Sequence, residues 1–305
     1  MKRALLIAGP TASGKSALAL ALARETGGVI VNADAMQVYA DLRVLTARPS
    51  PAEEASAPHR LYGMVDAAEA YSAGKWQRAA LSALEAIWAE DRPAIVVGGT
   101  GLHFAALTEG LAPAPEIPPD ITRAARAEAS ADPAAAHARL ATVDPAAAAR
   151  ISPTDAVRIA RALEVHDATG APLSALQAGT RPPLAAGQWA GLALAPPRAG
   201  LYAAIERRFE AMLSAGALEE ARALHQRGLD PALPCMKAHG MPWLARHFEG
   251  AITLSAAAKG AILDTRHYAK RQLTWIRNRM RDWTVVEETD PAARLRAARS
   301  ALARG

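Results

Sequence analysis

The octapeptide GPTASGKS at residues 9–16 follows the apolar run ALLIA and precedes SALALALARET. Gly9, Gly14, Lys15 and Ser16 satisfy the pattern G-x-x-x-x-G-K-[ST]. No other stretch constrains the fold as tightly, because this loop works only between a strand and a helix. Its glycines let backbone N–H groups turn inward around an anion. The helix that opens there presents the positive end of its dipole. Lys15 adds a charge for terminal phosphates, and the Ser16 hydroxyl is a candidate ligand for Mg²⁺. A chance glycine turn is the bland alternative, but both flanks carry the hydropathy that the loop needs. Gly9, Pro10, Thr11, Ala12, Ser13, Gly14, Lys15 and Ser16 are thus the candidate diphosphate- or nucleotide-binding residues.

The rest of the N-terminal half alternates strand and helix signals. GVIVNAD is a second apolar run that ends at Asp34. SAGKWQRAALSALEAIWAEDR has helical spacing, with Trp76, Ala80, Leu84, Ile87 and Trp88 on one face. AIVVGGTG reads as a strand running into a glycine turn. Continuous apolar strands in strand–helix–strand order predict a parallel sheet covered by helices on both faces. The expected class is therefore α/β, with a P-loop NTPase-like parallel sheet flanked by helices. From about Leu111 to Pro183 the chain is Ala-rich and nearly without β-branched runs, bracketed by LAPAPEIPPD and GTRPPLAAGQ. This predicts an all-helical insertion domain at 112–185. The core is then split into 1–111 and 186–305, with WAGLALAPP as a return strand, helices over most of 200–281 and WTVVEE as a last edge strand.

Composition narrows the class only a little. The chain has 305 residues, enough for one large or two smaller domains. Hydrophobic residues make up 51 %, but much of that is Ala, which favours helices more than it fills cores. Net charge is +5, which mildly favours a polyanionic partner. The single cysteine, Cys235, excludes an internal disulfide framework and a Cys-based zinc site, and suits a reducing cytosol. The apolar run Ala4 to Ala8 is too short for a signal peptide or a membrane span.

The glycine loop does not name a reaction. A kinase or ATPase also needs an Asp at a strand end to order Mg²⁺. The strand AIVV ends in Gly98-Gly99-Thr100-Gly101 without one. Asp34 is the available carboxylate. It is placed either to order metal, to act as a base, or to cap a helix over AMQVYADL.

Taken in order, the segments GPTASGKS, NADAMQVYADLRVLTARP, HRLYGMVDAAEAYSAGKW, VVGGTGLHFAALTEGL, VDPAAAARISPTDAVRIARALEV and HYAKRQLTWIRNRM resemble the tRNA dimethylallyltransferases over nearly the whole chain. The resemblance implies transfer of a dimethylallyl group from dimethylallyl diphosphate to N6 of adenine 37 in tRNAs reading codons that begin with U. On that expectation the loop grips a departing diphosphate, with Mg²⁺ as cofactor, and Arg208 helps to hold the leaving group. A surface arginine beside Arg207 is its alternative. Asp34 is implied as general base and Thr100 as a second catalytic residue near the target base, with helix capping as its simpler role. Implied tRNA contacts are Asp34, Ala35, Met36, Gln37, Thr100, Arg123, Arg158, Ile159, Ala160 and Arg161. The family also implies a monomer that meets the tRNA anticodon stem-loop in the cytoplasm, away from any membrane.

Arg266, Lys270, Arg271, Arg277, Arg279 and Arg281 form an acid-free basic run of the kind that meets phosphates. Trp275 lies among them, either stacked on a base or packed inward. Three positions depart from the family pattern. Met241 follows Gly240 where a tyrosine is usual, His103 stands where many members have Tyr, and Arg48 replaces Lys with different donor geometry. His59, Arg60 and Leu61 match a family segment without an evident physical role. Two other classes stay open: a P-loop small-molecule or nucleotide kinase, which explains the first 35 residues equally well, and a non-catalytic RNA-binding protein.

Overall fold

The computed structural model describes residues 3–112 and 116–303. Lys2 of the N-terminal basic pair and residues 113–115 of the proline-rich stretch lie outside that range. The first unit runs up to Thr108 and resumes at Leu184, and Glu109–Pro183 form the second.

In the first unit, β1 (Ala4–Ala8), α1 (Lys15–Thr26), β2 (Val29–Asn32), α2 (Pro51–Ser56), β3 (His59–Arg60), α3 (Ala73–Ala89), β4 (Ala94–Gly98) and α4 (Gly101–Thr108) come first. The second unit holds α5 (Pro119–Ala131), α6 (Pro133–Val143), α7 (Pro145–Ala148), α8 (Ala156–Thr169) and α9 (Leu173–Ala178). The chain then returns with β5 (Trp189–Leu194), α10 (Arg198–Ser214), α11 (Ala217–Gln226), α12 (Met241–Phe248), α13 (Leu254–Arg279), β6 (Thr284–Val286) and α14 (Pro291–Ala303).

The described strands form one sheet in the order β3-β2-β4-β1-β5-β6, and every pairing is parallel. ALLIA is buried along its whole length because β1 lies inside the sheet between β4 and β5. WTVVEE supplies β6 at the edge, as its short run suggested. The edge strand β3 was not foreseen. It is only His59 and Arg60, registered on Ile30 and Val31, so the segment without an evident role extends the sheet.

Helix α3 starts where the Ser72 hydroxyl accepts the Lys75 N–H at 3.2 Å. It buries Trp76, Ala80, Leu84 and Ile87. Trp76 Nε1 donates to the Asn32 carbonyl at 2.8 Å, which fixes the end of β2. β2 and β4 then come so close that a β-carbon on Gly98 would lie 2.1 Å from the Ala33 carbonyl oxygen. Only glycine permits that approach, and it sets the segment after β2 beside the turn after β4.

The second unit has its own core of small residues, with Ala125, Ala129, Ala136, Leu140, Ile159 and Leu163 at its centre. Asp132, Asp144 and Asp155 cap its helices by accepting backbone N–H groups of the first turns.

Candidate active site

The loop between β1 and α1 forms a cradle. Gly14 stands at φ +86°, a left-handed conformation that glycine adopts without strain, and α1 begins at the next residue. Lys15 is buried, and its ammonium donates to the Pro10 carbonyl at 3.3 Å. An ammonium has three donors, so N–H capacity remains for an anion. Burial lowers the Lys15 pKa from 10.5 to about 8, with the Asp34 charge opposing that shift and the Arg208 charge adding to it. Ser16 is exposed on the first turn of α1.

Arg207 points to solvent, but its neighbour Arg208 turns inward and donates from Nη2 to the Thr11 hydroxyl. α10 is thereby tied to the cradle. Residues Thr11 to Ala17 line a cleft of about 470 Å³ together with Asp34, Gln37, Thr46, Arg48 and Arg208. The glycine loop and Asp34 therefore face one space.

Asp34 is positioned by side chain–backbone bonds. β2 ends at Asn32, two residues before Asp34, and AMQVYADL forms turns instead of a helix. The reason is local: Asn32 Oδ1 accepts the Asp34 N–H at 2.8 Å, and Asn32 Nδ2 donates to the Asp34 and Leu61 carbonyls, each at 3.0 Å. Such bonds compete with helix formation. The Asp34 carboxylate accepts one N–H, from Met36 at 2.9 Å, so its capping is of a turn. Thr100 likewise does not cap a helix with its side chain: its hydroxyl accepts the Ala35 N–H at 2.9 Å.

The neighbouring loop is held from several sides. Gln37 Nε2 donates to the Thr46 and Ala47 carbonyls, both at 2.9 Å, which leaves its carbonyl oxygen as the side chain's other polar atom. Arg48 Nη1 donates to the Tyr39 carbonyl at 2.8 Å. Glu220 on α11 accepts the N–H groups of Arg43, Val44 and Leu45 at 2.6, 2.8 and 2.9 Å.

A cavity of about 180 Å³ shares Thr11, Asp34, Thr46 and Arg208 with the cleft and adds an apolar wall of Met36, Leu45, Ile205, Phe209 and Met212. His239 and Tyr268 line it too, with ring centroids 4.3 Å apart. Burial raises the Tyr268 pKa to about 12, and the Asp34 charge pushes it the same way. Burial lowers the His239 pKa against the pull of Asp34. A smaller cavity of about 130 Å³ is bounded by Gly99, Thr100, Phe104, Arg271, Gln272 and Trp275, and Tyr268 borders it as well. Gln272 links the two glycine turns: its Oε1 accepts the Thr11 N–H at 2.9 Å, and its Nε2 donates to the Gly99 carbonyl at 2.8 Å.

Sequence reasoning missed Gln272, Tyr268, His239 and Glu220. HYAKRQLTWIRNRM stands out by its cations, whereas the usable signal is the buried series Thr265, Ala269, Gln272 and Ile276 at helical spacing. The segment departing from the family pattern, Cys235 to Gly240, contributes Lys237 and His239 to the second cavity. His103 is a core residue, stacked on Trp76 at 4.0 Å with its pKa lowered by burial to about 4.

The basic run borders a groove of about 550 Å³ lined by His267, Lys270, Arg271, Thr274, Trp275, Asn278 and Arg279. Trp275 is half-buried, with the Arg279 guanidinium 5.6 Å from its ring. In the second unit Arg123 and Arg158 are exposed. Arg158 pairs with Asp155 at 3.1 Å, and Arg161 with Glu164 at 2.7 Å. Ile159 and Ala160 are 0 % and 4 % exposed, so their side chains pack the core of that unit.

The sequence matches the family model for IPP transferase over residues 37–279. It is 56 % identical over 284 residues to the tRNA dimethylallyltransferase of Methylobacterium nodulans, covering 92 % of this chain and 94 % of that one. It is 55 % identical over 291 residues to the tRNA dimethylallyltransferase of Rhodopseudomonas palustris strain CGA009, covering 94 % and 91 %. Among solved structures, the tRNA isopentenylpyrophosphate transferase of Bacillus halodurans superposes with TM-score 0.68 at 28 % identity, covering 98 % of this chain and 99 % of that one. A eukaryotic dimethylallyltransferase acting on tRNA gives 0.78 at 27 % identity, covering 96 % and 75 %.

Proposed function

The chain belongs to the IPP transferase family and is a prenyl-transferring enzyme that acts on tRNA; from that premise we propose how its site carries out the transfer. A dimethylallyl group passes from dimethylallyl diphosphate to N6 of adenine 37, in tRNAs reading codons that begin with U, giving N6-(dimethylallyl)adenosine and diphosphate. One observation carries this reading: the anion cradle and the Asp34 carboxylate line one cleft.

As the allylic C–O bond breaks, its electron pair moves to the leaving diphosphate and positive charge grows on the allyl group. The cradle amides, the Lys15 ammonium and the Arg208 guanidinium meet the negative charge. The adjoining apolar wall takes the hydrocarbon and excludes water that would capture the allyl cation. The exocyclic amine is a weak nucleophile, and its N–H gives its proton to the Asp34 carboxylate as the N–C bond forms. The base has to leave its stack to enter such a pocket. Thr100 holds the peptide after Asp34 and borders the cavity beside it.

Ser16 lines the same cleft and offers a hydroxyl, an oxygen donor of the kind that Mg²⁺ takes. Among the described residues no three His, Cys, Asp or Glu side chains converge on a metal-sized point, so the donor's diphosphate oxygens would complete the shell. Bound Mg²⁺ supplies charge neutralisation on the leaving group.

Contacts to the anticodon stem-loop are assigned to Asp34 through Gln37, to Thr100, and to the cations of α13. On the helical unit they are assigned to Arg123, Arg158 and Arg161. Such contacts weaken steeply with salt. No helix of the described residues is long and apolar enough to cross a membrane. A monomer working in the cytoplasm fits this reading.

The test is incubation with labelled dimethylallyl diphosphate, Mg²⁺ and a tRNA carrying A36 and A37. Label in the tRNA, lost when A37 is replaced by G, supports the reading. ATP turnover on a small acceptor, or tRNA binding without transfer, overturns it.

A further inference from the structure

Arg294 lies 281 residues from Ser13 in sequence yet bonds to it. It projects from the first turn of α14 and is 8 % exposed. Its Nη1 donates to the Ser13 carbonyl at 2.8 Å, and its Nε donates to the Glu288 carbonyl at 2.7 Å. The same guanidinium closes on the next residue, since a β-carbon on Gly14 would lie 2.8 Å from Nη1. A charged group buried at this depth needs a reason. α14 packs on α1, β1 and β5, so the anchor comes from the body of the first unit.

The Ser13–Gly14 peptide is planar and trans, so its C=O and N–H point in opposite directions. Fixing the carbonyl outward on Arg294 fixes the Gly14 N–H on the other side, toward the concavity of the loop. Gly14 is also the residue at which this peptide can most readily flip, because glycine populates both signs of φ. We propose that Arg294 is a positioning residue that locks the Ser13–Gly14 peptide with its N–H aimed at the diphosphate, and that it places a fixed positive charge behind the cradle. The proposal rests on the reading of the loop as the diphosphate site. It concerns a residue beyond the segment matched to the family model, 37–279.

The test uses the full chain with Mg²⁺. Affinity for inorganic diphosphate is measured by calorimetry, and KM for donor and for tRNA is measured separately. Arg294→Met should weaken diphosphate binding and raise donor KM about tenfold, the worth of one charge-assisted hydrogen bond. The KM for tRNA should stay within about twofold. Arg294→Lys, which keeps the charge but not the two-carbonyl span, should lie between. Arg299→Ala, on the same helix as Arg294, removes an exposed ion pair to Glu25 of α1; it is the control and should match wild type. A merely structural role would lower the active fraction and leave both KM values unchanged. Wild-type diphosphate affinity in Arg294→Met overturns the proposal; should that variant not fold, wild-type affinity in Arg294→Lys does so. A wild-type chain that binds diphosphate without transferring label refutes the transfer reading instead, and the Arg294 variants are then judged on diphosphate affinity alone.

Discussion

The Thr100 hydroxyl accepts the backbone N–H of Ala35 at 2.9 Å. This bond joins the turn after β4 to the peptide that follows Asp34, so the threonine and the carboxylate act as one unit. Thr100→Val removes the acceptor and leaves the Ala35 N–H unpaired. We expect a loss of about 1–3 kcal/mol in stability and a fall in turnover larger than the fall in tRNA affinity. Thr100→Ser, which keeps the hydroxyl, should behave nearly as wild type in denaturation and transfer assays.

On the proposed reading, Lys15 sets a pH limit on donor binding. Its pKa in the free protein is lowered to about 8 by burial. Below that value the ammonium is present for the diphosphate; above it the neutral amine binds the anion less well. Donor KM should be flat in pH up to about 8 and then rise by as much as about tenfold per unit. The effect on folding has the opposite sign. Between about 8 and the ordinary 10.5 the unfolded chain holds a proton that the folded chain has released, so this residue favours the folded state more as pH rises. Initial rates and thermal melts from pH 6 to 10 separate the two trends.

Glu220 accepts three successive N–H groups from residues 43–45 and so fixes the loop whose Thr46 and Ala47 carbonyls hold Gln37. Glu220→Ala strands three partly buried donors. We expect about 1–3 kcal/mol less stability and a raised donor KM, because Thr46 and Gln37 both line the cleft. Glu220→Gln, which keeps one acceptor oxygen, should fall between in chemical denaturation.

Most of the sheet was legible because β1, β2, β4 and β5 are apolar runs long enough to stand out. β3 was not, since His59 and Arg60 show no strand pattern and pair only because β2 offers a free side. The cradle was read from its glycines and Lys15. The segment 35–48 was not, because bonds from Asn32, Thr100 and Glu220 shape it, and the last two come from far along the chain. The bonds made by Gln272 and Arg294 were illegible for the same reason: their partners, Thr11 and Ser13, are more than 250 residues away. No periodicity in sequence reports such bonds. Ile159 and Ala160 lie between Arg158 and Arg161 in sequence, but the helical period sets Ile159 on another face.

Single-turnover transfer by Asp34→Asn, with tRNA binding measured in parallel, addresses the central claim that this carboxylate takes the proton from the attacking amine while the cradle holds the departing diphosphate. The substitution keeps the shape and the turn acceptor but removes the base. The account predicts a chemical step slower by roughly 10²–10⁴, with tRNA and diphosphate affinities nearly unchanged. A chemical step within about twofold of wild type would contradict it.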